Sequence, residues 1–357
     1  MKIESFHLYK LELPLKVPYK LAFGTVMAFD TLIAEARSDD QRRAFGEATV
    51  LPGYTDETVE GSWRLMGEIA ARLVGLDGTD AKALAAGKIH DGPFAMTALI
   101  TAIEALEDNP HLAVRTATPV PLLAVLNGMG GPEMEAEIDR HVAGGYGTIK
   151  VKVGFDADAD SARVRAIQKY LKNRAMIRLD GNQGYNTADA VRFAGSLDPE
   201  GIELFEQPCA AGDWDAAMAV AKVAKVPMML DESIYGLEDI ERAAELKAAK
   251  FIKLKLMKMG GLDALAHGLD RIRELGMTPV LGNGVASDVG CWMEACVARG
   301  RIDNAGEMNG FLKPRQTLFE KPIAVEKGAM VLLPGPMPQP DVKVLATAKA
   351  RADFKAP

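Results

Sequence analysis

The chain has 357 residues, of which 48% are hydrophobic and 25% are charged, and its formal net charge is −7. These values are typical of a globular protein of about two domains, and no apolar stretch is long enough to predict a membrane span. The acidic balance and the lack of a basic run argue against nucleic acid and anionic membranes as partners. The three cysteines form no metal-binding or disulfide pattern, and the N-terminal residues do not resemble a signal peptide, so we expect a cytoplasmic protein.

The sequence pattern changes near residue 120. The first part opens with strand-like alternation and continues with helical patterns over 57–76 and 90–107, an order typical of α+β domains. From there to residue 325, short apolar runs alternate with amphipathic helices. The pattern then ends, and the C-terminal segment is expected to pack back on the first part. We therefore predict an α+β capping domain at 1–119, completed by 326–357, and a second domain at 120–325.

Eight strands are predicted in the second domain. They lie at 121–126, 148–153, 176–180, 202–206, 228–231, 251–255, 278–282 and 302–307. Repeated strand–helix units form either a closed barrel or a doubly wound open sheet. An open sheet that binds a dinucleotide carries a glycine-rich loop after its first strand, but Glu133 stands where the third glycine would be. The pattern favours the barrel.

Charged residues interrupt several of these apolar strands. Lys150 and Lys152 share one face of the second strand, and Asp180, Glu206 and Asp231 end three consecutive strands. Each could separately be a solvated lysine, a helix cap or a turn residue. Together they are expected at one mouth of the barrel, because parallel strands end at the same edge and barrel enzymes place their active sites there.

Three carboxylates that meet at one point repel each other unless a cation lies between them. Oxygen ligands without histidine or cysteine favour Mg²⁺, with Mn²⁺ as the alternative. Lys152 and Lys255 flank the three acids along the chain and, in a closed barrel, would lie on opposite sides of them.

Five short motifs occur in a fixed order: K-V-K at 150–152, D-G-N at 180–182, E-Q-P at 206–208, D-E-S at 231–233 and K-L-M-K-M-G-G at 255–261. In this order and spacing they resemble the enolase superfamily, in the muconate lactonizing subgroup that includes dipeptide epimerases and o-succinylbenzoate synthases. The resemblance covers nearly the whole chain. It implies an α/β fold, a modified TIM barrel of the (β/α)₇β type with an α+β capping domain.

The resemblance also implies roles for individual residues. Asp180, Glu206 and Asp231 would bind Mg²⁺, and Lys152 and Lys255 would be the acid/base pair on the two faces of the substrate. The residues expected to contact the substrate are Lys150, Asn182, Glu232, Asn283, Glu307, Phe23 and Tyr54. The last two lie in loops of the capping domain, 21–27 and 51–56, whose glycines and aromatic residues suit a closing lid.

Among the departures from the pattern of the family, two concern charged residues of the site. Lys253 stands where many relatives have a neutral residue. At the eighth strand, Glu307-Met308-Asn309 replaces the D-x-D with which many dipeptide epimerases hold the ammonium group of their substrate. One acidic group is kept, which favours an amino-acid derivative and argues against a standard dipeptide.

The expected activity is removal of the α-proton of a carboxylate substrate, through an enediolate intermediate. Two opposed lysines favour a racemase or epimerase of an amino-acid derivative or dipeptide, and the alternative is a lyase such as a dehydratase, a cycloisomerase or an o-succinylbenzoate synthase. A barrel that only binds a metal or a small acid is disfavoured, because both lysines and all three acids are present. The expected partners are a small-molecule carboxylate and further copies of the chain in a homo-oligomer.

Overall fold

The computed structural model describes residues 1–21, 24–51 and 56–356. Its N-terminal part contains β1 (Ile3–Leu21), β2 (Gly24–Ser38), β3 (Arg43–Val50), α1 (Val59–Leu73), α2 (Gly78–Ala86) and α3 (Pro93–Leu106). The antiparallel capping sheet has the order β14-β1-β2-β3, where β14 is Ala350–Lys355 near the C-terminus. The end of the chain thus adds an edge strand to the capping sheet. The division at residues 119 and 326 remains a prediction.

The central part of the chain alternates strands and helices. Its elements are β4 (Thr118–Pro121), β5 (Ala124–Leu126), α4 (Gly131–Ala143), β6 (Thr148–Lys152), α5 (Ala157–Leu171), β7 (Met176–Asp180), α6 (Thr187–Ser196), β8 (Ile202–Glu206), α7 (Trp214–Val223), β9 (Met228–Leu230), α8 (Leu237–Leu246), β10 (Phe251–Leu254), α9 (Leu256–Met259), α10 (Leu262–Glu274), β11 (Thr278–Leu281) and α11 (Asp288–Ala298). Short 3₁₀ helices occupy Pro110–Leu112 and Gly310–Leu312, and β12 (Val325–Glu326), β13 (Ala329–Leu332) and α12 (Val342–Leu345) follow.

Strands β5 to β11 form a curled parallel sheet in sequence order, which confirms the predicted α/β class and the enolase-like fold. Residues on both faces of β6 are buried, with Ile149 and Val151 on one face and Lys150 on the other, as expected when a parallel sheet is covered on both sides. No helix of the described residues is long and apolar enough to cross a membrane.

Two of the predicted strands differ from the structure. The predicted strand at 121–126 is divided, because β4 pairs antiparallel with β13 and only β5 joins the parallel sheet. The predicted eighth strand is reduced to a bridge at Gly306. The backbone of Gly306 forms hydrogen bonds with Pro121 and Leu123 on one side. On the other side, Glu307 N donates to Leu281 O. These few hydrogen bonds link the segment just before β5 to β11 without forming a regular strand.

Candidate active site

The register of the parallel sheet places three functional candidates side by side. Lys152 on β6 lies opposite Asp180 on β7, and Asp180 lies opposite Glu206 on β8. Asp231 follows the end of β9, the next strand of the sheet. These side chains therefore meet at the carboxyl edge of the sheet, because parallel strands in register end together.

The structure gathers five acids and five lysines at this edge, which we call the acid–lysine cluster. Its members are Asp180, Glu206, Asp231, Glu232, Glu307, Lys150, Lys152, Lys253, Lys255 and Lys258. The opposite charges balance in number. Such a balance is required where charged groups leave water, because an unpaired buried charge is costly.

Lys150 and Lys253 lie between the acids. Lys150 Nζ is 2.7 Å from Asp180 Oδ2, 3.1 Å from Glu206 Oε2 and 2.9 Å from Glu307 Oε2. Lys253 Nζ is 3.0 Å from Glu206 Oε1 and 3.3 Å from Asp231 Oδ2, and it also contacts Glu307. The acids are therefore neutralised by ammonium groups, whereas the sequence argument treated them as unpaired.

Lys152 and Lys255 stand at the two sides of the cluster. Lys152 Nζ lies 2.6 Å from Asp180 Oδ2, and Lys255 Nζ lies 2.8 Å from Asp231 Oδ2. The strands that carry these two acids are separated by β8 in the sheet. The Lys152 side chain is 25% exposed and that of Lys255 is 8% exposed, so both are near the mouth but differ in access to solvent.

The electrostatics of the cluster divide its acids into two kinds. Burial disfavours the charge of Asp180, but Lys150 and Lys152 outweigh burial and lower its pKa to about 2. Burial and the neighbouring Asp180 raise the pKa of Glu206 to about 7, although Lys150 and Lys253 oppose the shift. Burial opposes the charged form of Lys150, but the neighbouring acids outweigh it and raise the pKa of Lys150 well above its usual value.

Two amide side chains hold the loops of the site. Asn182 Oδ1 accepts from Lys152 Nζ, and Asn182 Nδ2 donates to Glu232 Oε1 at 2.9 Å. Gln207 Oε1 accepts from the backbone N–H groups of Asp231, at 3.0 Å, and Ser233, at 3.2 Å. Both residues have positive φ, 40° for Asn182 and 34° for Gln207, a conformation that costs energy and clusters at functional sites.

The remaining predicted contacts are placed as follows. Glu307 Oε2 accepts from Lys150 and Lys253 and does not point away from the cluster. Both polar atoms of the Asn283 amide are used locally, with Nδ2 on Met257 Sδ and Oδ1 accepting from Val285 N. Phe23 and Tyr54 lie outside the described residues, as does part of each predicted lid loop.

Sequence reasoning assigned no role to Gln207 and Lys258. Lys258 Nζ donates to Asp231 O at 2.9 Å, and burial lowers the pKa of Lys258 to about 8. Both residues belong to the quoted motifs, E-Q-P and K-L-M-K-M-G-G, so the signal was present. Their roles depend on contacts between neighbouring loops, which strand periodicity does not reveal.

The residues fit a divalent metal ion, although it would have to displace ammonium groups. In the described part of the chain, no three His, Cys, Asp or Glu side chains already converge closely enough to hold a metal. The lysines between Asp180, Glu206 and Asp231 account for that. All three side chains offer oxygen alone, are almost fully buried and already surround cations. Glu206 Oε2 accepts no well-directed hydrogen bond even though Lys150 Nζ is 3.1 Å away, which leaves a lone pair available.

The comparison with known sequences decides the family. Residues 133–336, more than half of the chain, match the family described as Enolase C-terminal domain-like. The chain belongs to the enolase superfamily. Within it, the relatives place this superfamily member in the mandelate racemase/muconate lactonizing enzyme subgroup.

The curated relatives of this superfamily member include epimerases and racemases of amino-acid derivatives or dipeptides. The L-Ala-D/L-Glu epimerase of Clostridium acetobutylicum is 30% identical over 281 residues, 73% of this chain and 76% of that protein. The o-succinylbenzoate synthase of Geobacillus kaustophilus is 28% identical over 312 residues, 81% of this chain and 80% of that protein. The crystal structure of a dipeptide epimerase from Cytophaga hutchinsonii, complexed with Mg and D-Ala-L-Val, has a TM-score of 0.90 at 20% identity, over 99% of this chain and 100% of that one.

Proposed function

We propose that the protein is a Mg²⁺-dependent racemase or epimerase that inverts the α-carbon of an amino-acid derivative or dipeptide. The observation that carries the proposal is the pair of lysines, Lys152 and Lys255, held at opposite sides of one acid cluster by Asp180 and Asp231. Inversion requires a proton acceptor on one face of the α-carbon and a proton donor on the other.

Each lysine serves one stereoisomer in this proposal. Lys152 takes the α-proton from one face, while the ammonium of Lys255 delivers a proton to the other face, and the reverse reaction exchanges these roles. Asn182 orients Lys152 through the hydrogen bond to Nζ, and Lys150 holds the substrate carboxylate. Glu232, Asn283 and Glu307 complete the proposed substrate-binding set.

Asp180, Glu206 and Asp231 are the proposed metal ligands. A bound Mg²⁺ or Mn²⁺ would supply positive charge that stabilises the enediolate and lowers the pKa of the neighbouring ammonium groups. Gln207 keeps the loop of Asp231 in place, because its Oε1 accepts from the backbone N–H groups of Asp231 and Ser233. Because the three acids are buried, their charges interact with a cation more strongly than they would in water.

A lyase is the second candidate, and one observation favours it. The side chain of Lys152 is three times as exposed as that of Lys255, and its Nζ also donates to Asn182 Oδ1. An elimination needs only one lysine as base, with the other stabilising charge, so an asymmetric pair suits it. The relatives include an enzyme of that kind, the o-succinylbenzoate synthase.

Proton NMR in D₂O tests the proposal on a panel of amino acids, dipeptides, N-acyl amino acids and acid sugars, with Mg²⁺ or with a chelator. A racemase or epimerase exchanges the α-proton and inverts the centre without consuming the compound, and only with the metal. Loss of the compound with formation of an alkene identifies the lyase. If no carboxylate exchanges or reacts, the proposal is overturned.

A further inference from the structure

Glu294 is a buried acid that the proposed mechanism does not use. It lies on α11, is 1% exposed, and its Oε1 accepts a hydrogen bond of 2.9 Å from Leu256 N. Leu256 directly follows Lys255, one of the two lysines of the proposed acid/base pair. The acid therefore contacts the peptide group that joins this lysine to the rest of its loop.

The peptide group between Lys255 and Leu256 is held at both of its polar atoms. Its N–H donates to Glu294. Its oxygen, Lys255 O, accepts from Lys258 N at 3.0 Å and from Met259 N at 3.3 Å. A planar peptide held in this way cannot rotate without breaking a hydrogen bond. Because its orientation fixes the ψ angle of Lys255, these contacts set the direction in which the lysine side chain leaves the backbone.

The start of α9 needs an acceptor from outside its own turn. The first N–H groups of a helix have no partner within it, and the residue before the helix usually supplies a side-chain acceptor. Lys255 occupies that position, and an ammonium group offers only donors. Its Nζ is directed to Asp231 Oδ2, 2.8 Å away. Glu294 supplies the acceptor that the lysine cannot, and the lysine side chain remains in the acid–lysine cluster.

Helix α11 carries Glu294 at a fixed position. At the N-terminal end of the helix, Ser287 N donates to the two carboxylate oxygens of Glu47 on the capping sheet, at 3.1 Å and 3.0 Å. Asp288 Oδ2 accepts from Leu318 N at 2.7 Å. Every residue of α11 is buried. Such a tightly held element can place a supporting group accurately, which the geometry of a reacting group requires.

We infer that Glu294 is a positioning residue for Lys255: it holds the peptide group at Leu256 so that the Lys255 ammonium points into the acid–lysine cluster. The inference rests on the proposed function for the role of Lys255 in proton transfer. Transfer on one face of the α-carbon then depends on Glu294, whereas transfer by Lys152 on the other face does not.

Proton NMR in D₂O tests this dependence, with Mg²⁺ and each stereoisomer of a turned-over substrate in a separate tube. Glu294→Met removes the acceptor and keeps a side chain of similar length. The variant should exchange the α-proton of the isomer that Lys255 serves at least about tenfold more slowly, since a displacement of about 1 Å can cost about a hundredfold in rate. The isomer that Lys152 serves should keep its wild-type exchange rate.

A conservative variant and a matched control separate positioning from stability. Burial raises the pKa of Glu294 to about 8, so glutamine resembles the acid near neutral pH and can still accept from Leu256 N. Glu294→Gln should therefore restore most of the exchange. Glu104→Met is the control, because Glu104 is also buried and accepts from Leu262 N and Asp263 N at the start of α10. It should leave the ratio of the two exchange rates unchanged.

Three results of the NMR experiment would overturn the inference. Equal slowing of both isomers in Glu294→Met would mean that the acid stabilises the fold without positioning Lys255. An unchanged rate for the isomer that Lys255 serves would mean that the hydrogen bond to Leu256 N is dispensable. A selective loss of that isomer in Glu104→Met would mean that the effect does not depend on this contact.

Amide hydrogen exchange at Leu256, measured by NMR with Mg²⁺ and without substrate, separates this inference from the proposed function. The amide should exchange at least about tenfold faster in Glu294→Met than in the wild type, because its hydrogen bond is lost, and Glu294→Gln should protect it. An unchanged rate in Glu294→Met would overturn the inference. Faster amide exchange, together with no α-proton exchange of any carboxylate by the wild type, would reject the proposed function and retain Glu294 as the residue that holds the Lys255 peptide.

Discussion

At the scale of single residues, the site is organised by lysines that neutralise buried acids. Lys253 is the clearest example, because it contacts Glu206, Asp231 and Glu307 and is almost fully buried. Burying a charge is tolerated when it is paired, and removal of one partner leaves the others uncompensated. The lysine that departs from the family pattern is thus part of the structural charge balance of this site.

Replacement of Lys253 by methionine should therefore destabilise the protein by about 3–5 kcal/mol, because three acids lose a shared cation. Lys250→Met is the matched control: this lysine is exposed and its Nζ donates only to Gly276 O among the described contacts. Urea unfolding in the presence of a chelator measures both variants. If Lys253→Met were as stable as Lys250→Met, the lysines would not be needed to neutralise the acids.

Replacement of Glu206 by glutamine should abolish Mg²⁺ binding measured by calorimetry. The amide carries no charge, and the remaining acids are already engaged by Lys150 and Lys253. Glu200→Gln, at an exposed position shortly before β8, should bind the metal like the wild-type protein. Unchanged affinity in Glu206→Gln would remove Glu206 from the proposed ligand set.

The positions of the site residues could be predicted from the sequence, but most of their pairings could not. Alternation along the strands and charges at strand ends identified Lys152, Asp180 and Glu206. The bond between Lys150 and Glu307 joins residues 157 positions apart, and it depends on how the chain closes the sheet.

At the scale of elements, the capping sheet packs very closely on α3. Gly46 of β3 lies against this helix, and a methyl group there would be 2.5 Å from Ala102 N and would also overlap Ala98 O. These are backbone atoms, which cannot move aside as a flexible side chain can. The glycine is therefore required by the close approach of the strand and the helix.

Gly46→Ala should destabilise the protein by at least about 2 kcal/mol, because the added methyl group overpacks this contact. Gly195→Ala is the control: a methyl group there meets nothing within 4 Å, and alanine stabilises a helix by about 0.5–1 kcal/mol relative to glycine. Thermal unfolding of both variants checks the expectation. Equal stability of Gly46→Ala and the wild type would show that the sheet and helix separate at little cost.

Helix α3 shows what sequence patterns predict well at this scale, and the eighth strand shows their limit. A helix was predicted over 90–107, and α3 spans Pro93–Leu106, because a long apolar periodicity is a strong signal. The strand predicted at 302–307 is only a bridge. Strand pairing depends on the neighbouring segments, and only Gly306 and Glu307 form backbone hydrogen bonds with them.

At the scale of the whole molecule, buried acids join the capping part to the barrel. Glu47 of β3 accepts from Ser287 N at the start of α11, and Glu104 of α3 accepts from Leu262 N at the start of α10. Burial raises the pKa of each to about 7. Burial also raises the pKa of Glu294, on α11, to about 8. The folded protein therefore holds protons on these acids that the unfolded chain releases.

Folding stability should consequently fall as the pH rises from about 5 to 8, because the folded state binds more protons in this window. Glu294→Gln should reduce this slope by up to about 1.4 kcal/mol per pH unit, since the amide mimics the protonated acid. In the wild-type protein, Glu294 Oε1 accepts from Leu256 N, and Glu294 Oε2 accepts no hydrogen bond from the described residues. The substitution therefore removes no hydrogen bond to Oε2. Guanidinium unfolding near pH 6 and pH 8.5 with a chelator measures the slope, and higher stability near pH 8.5 would contradict the argument.

The central claim is that Lys152 and Lys255 act on opposite faces of one α-carbon. Proton NMR in D₂O, with Mg²⁺ and each stereoisomer of a turned-over substrate in separate tubes, measures this directly. Lys152→Ala and Lys255→Ala should both lose net inversion. Each variant should still exchange the α-proton of one isomer only, and the two variants should retain opposite isomers. Net inversion in either variant, or retention of the same isomer by both, would contradict the account.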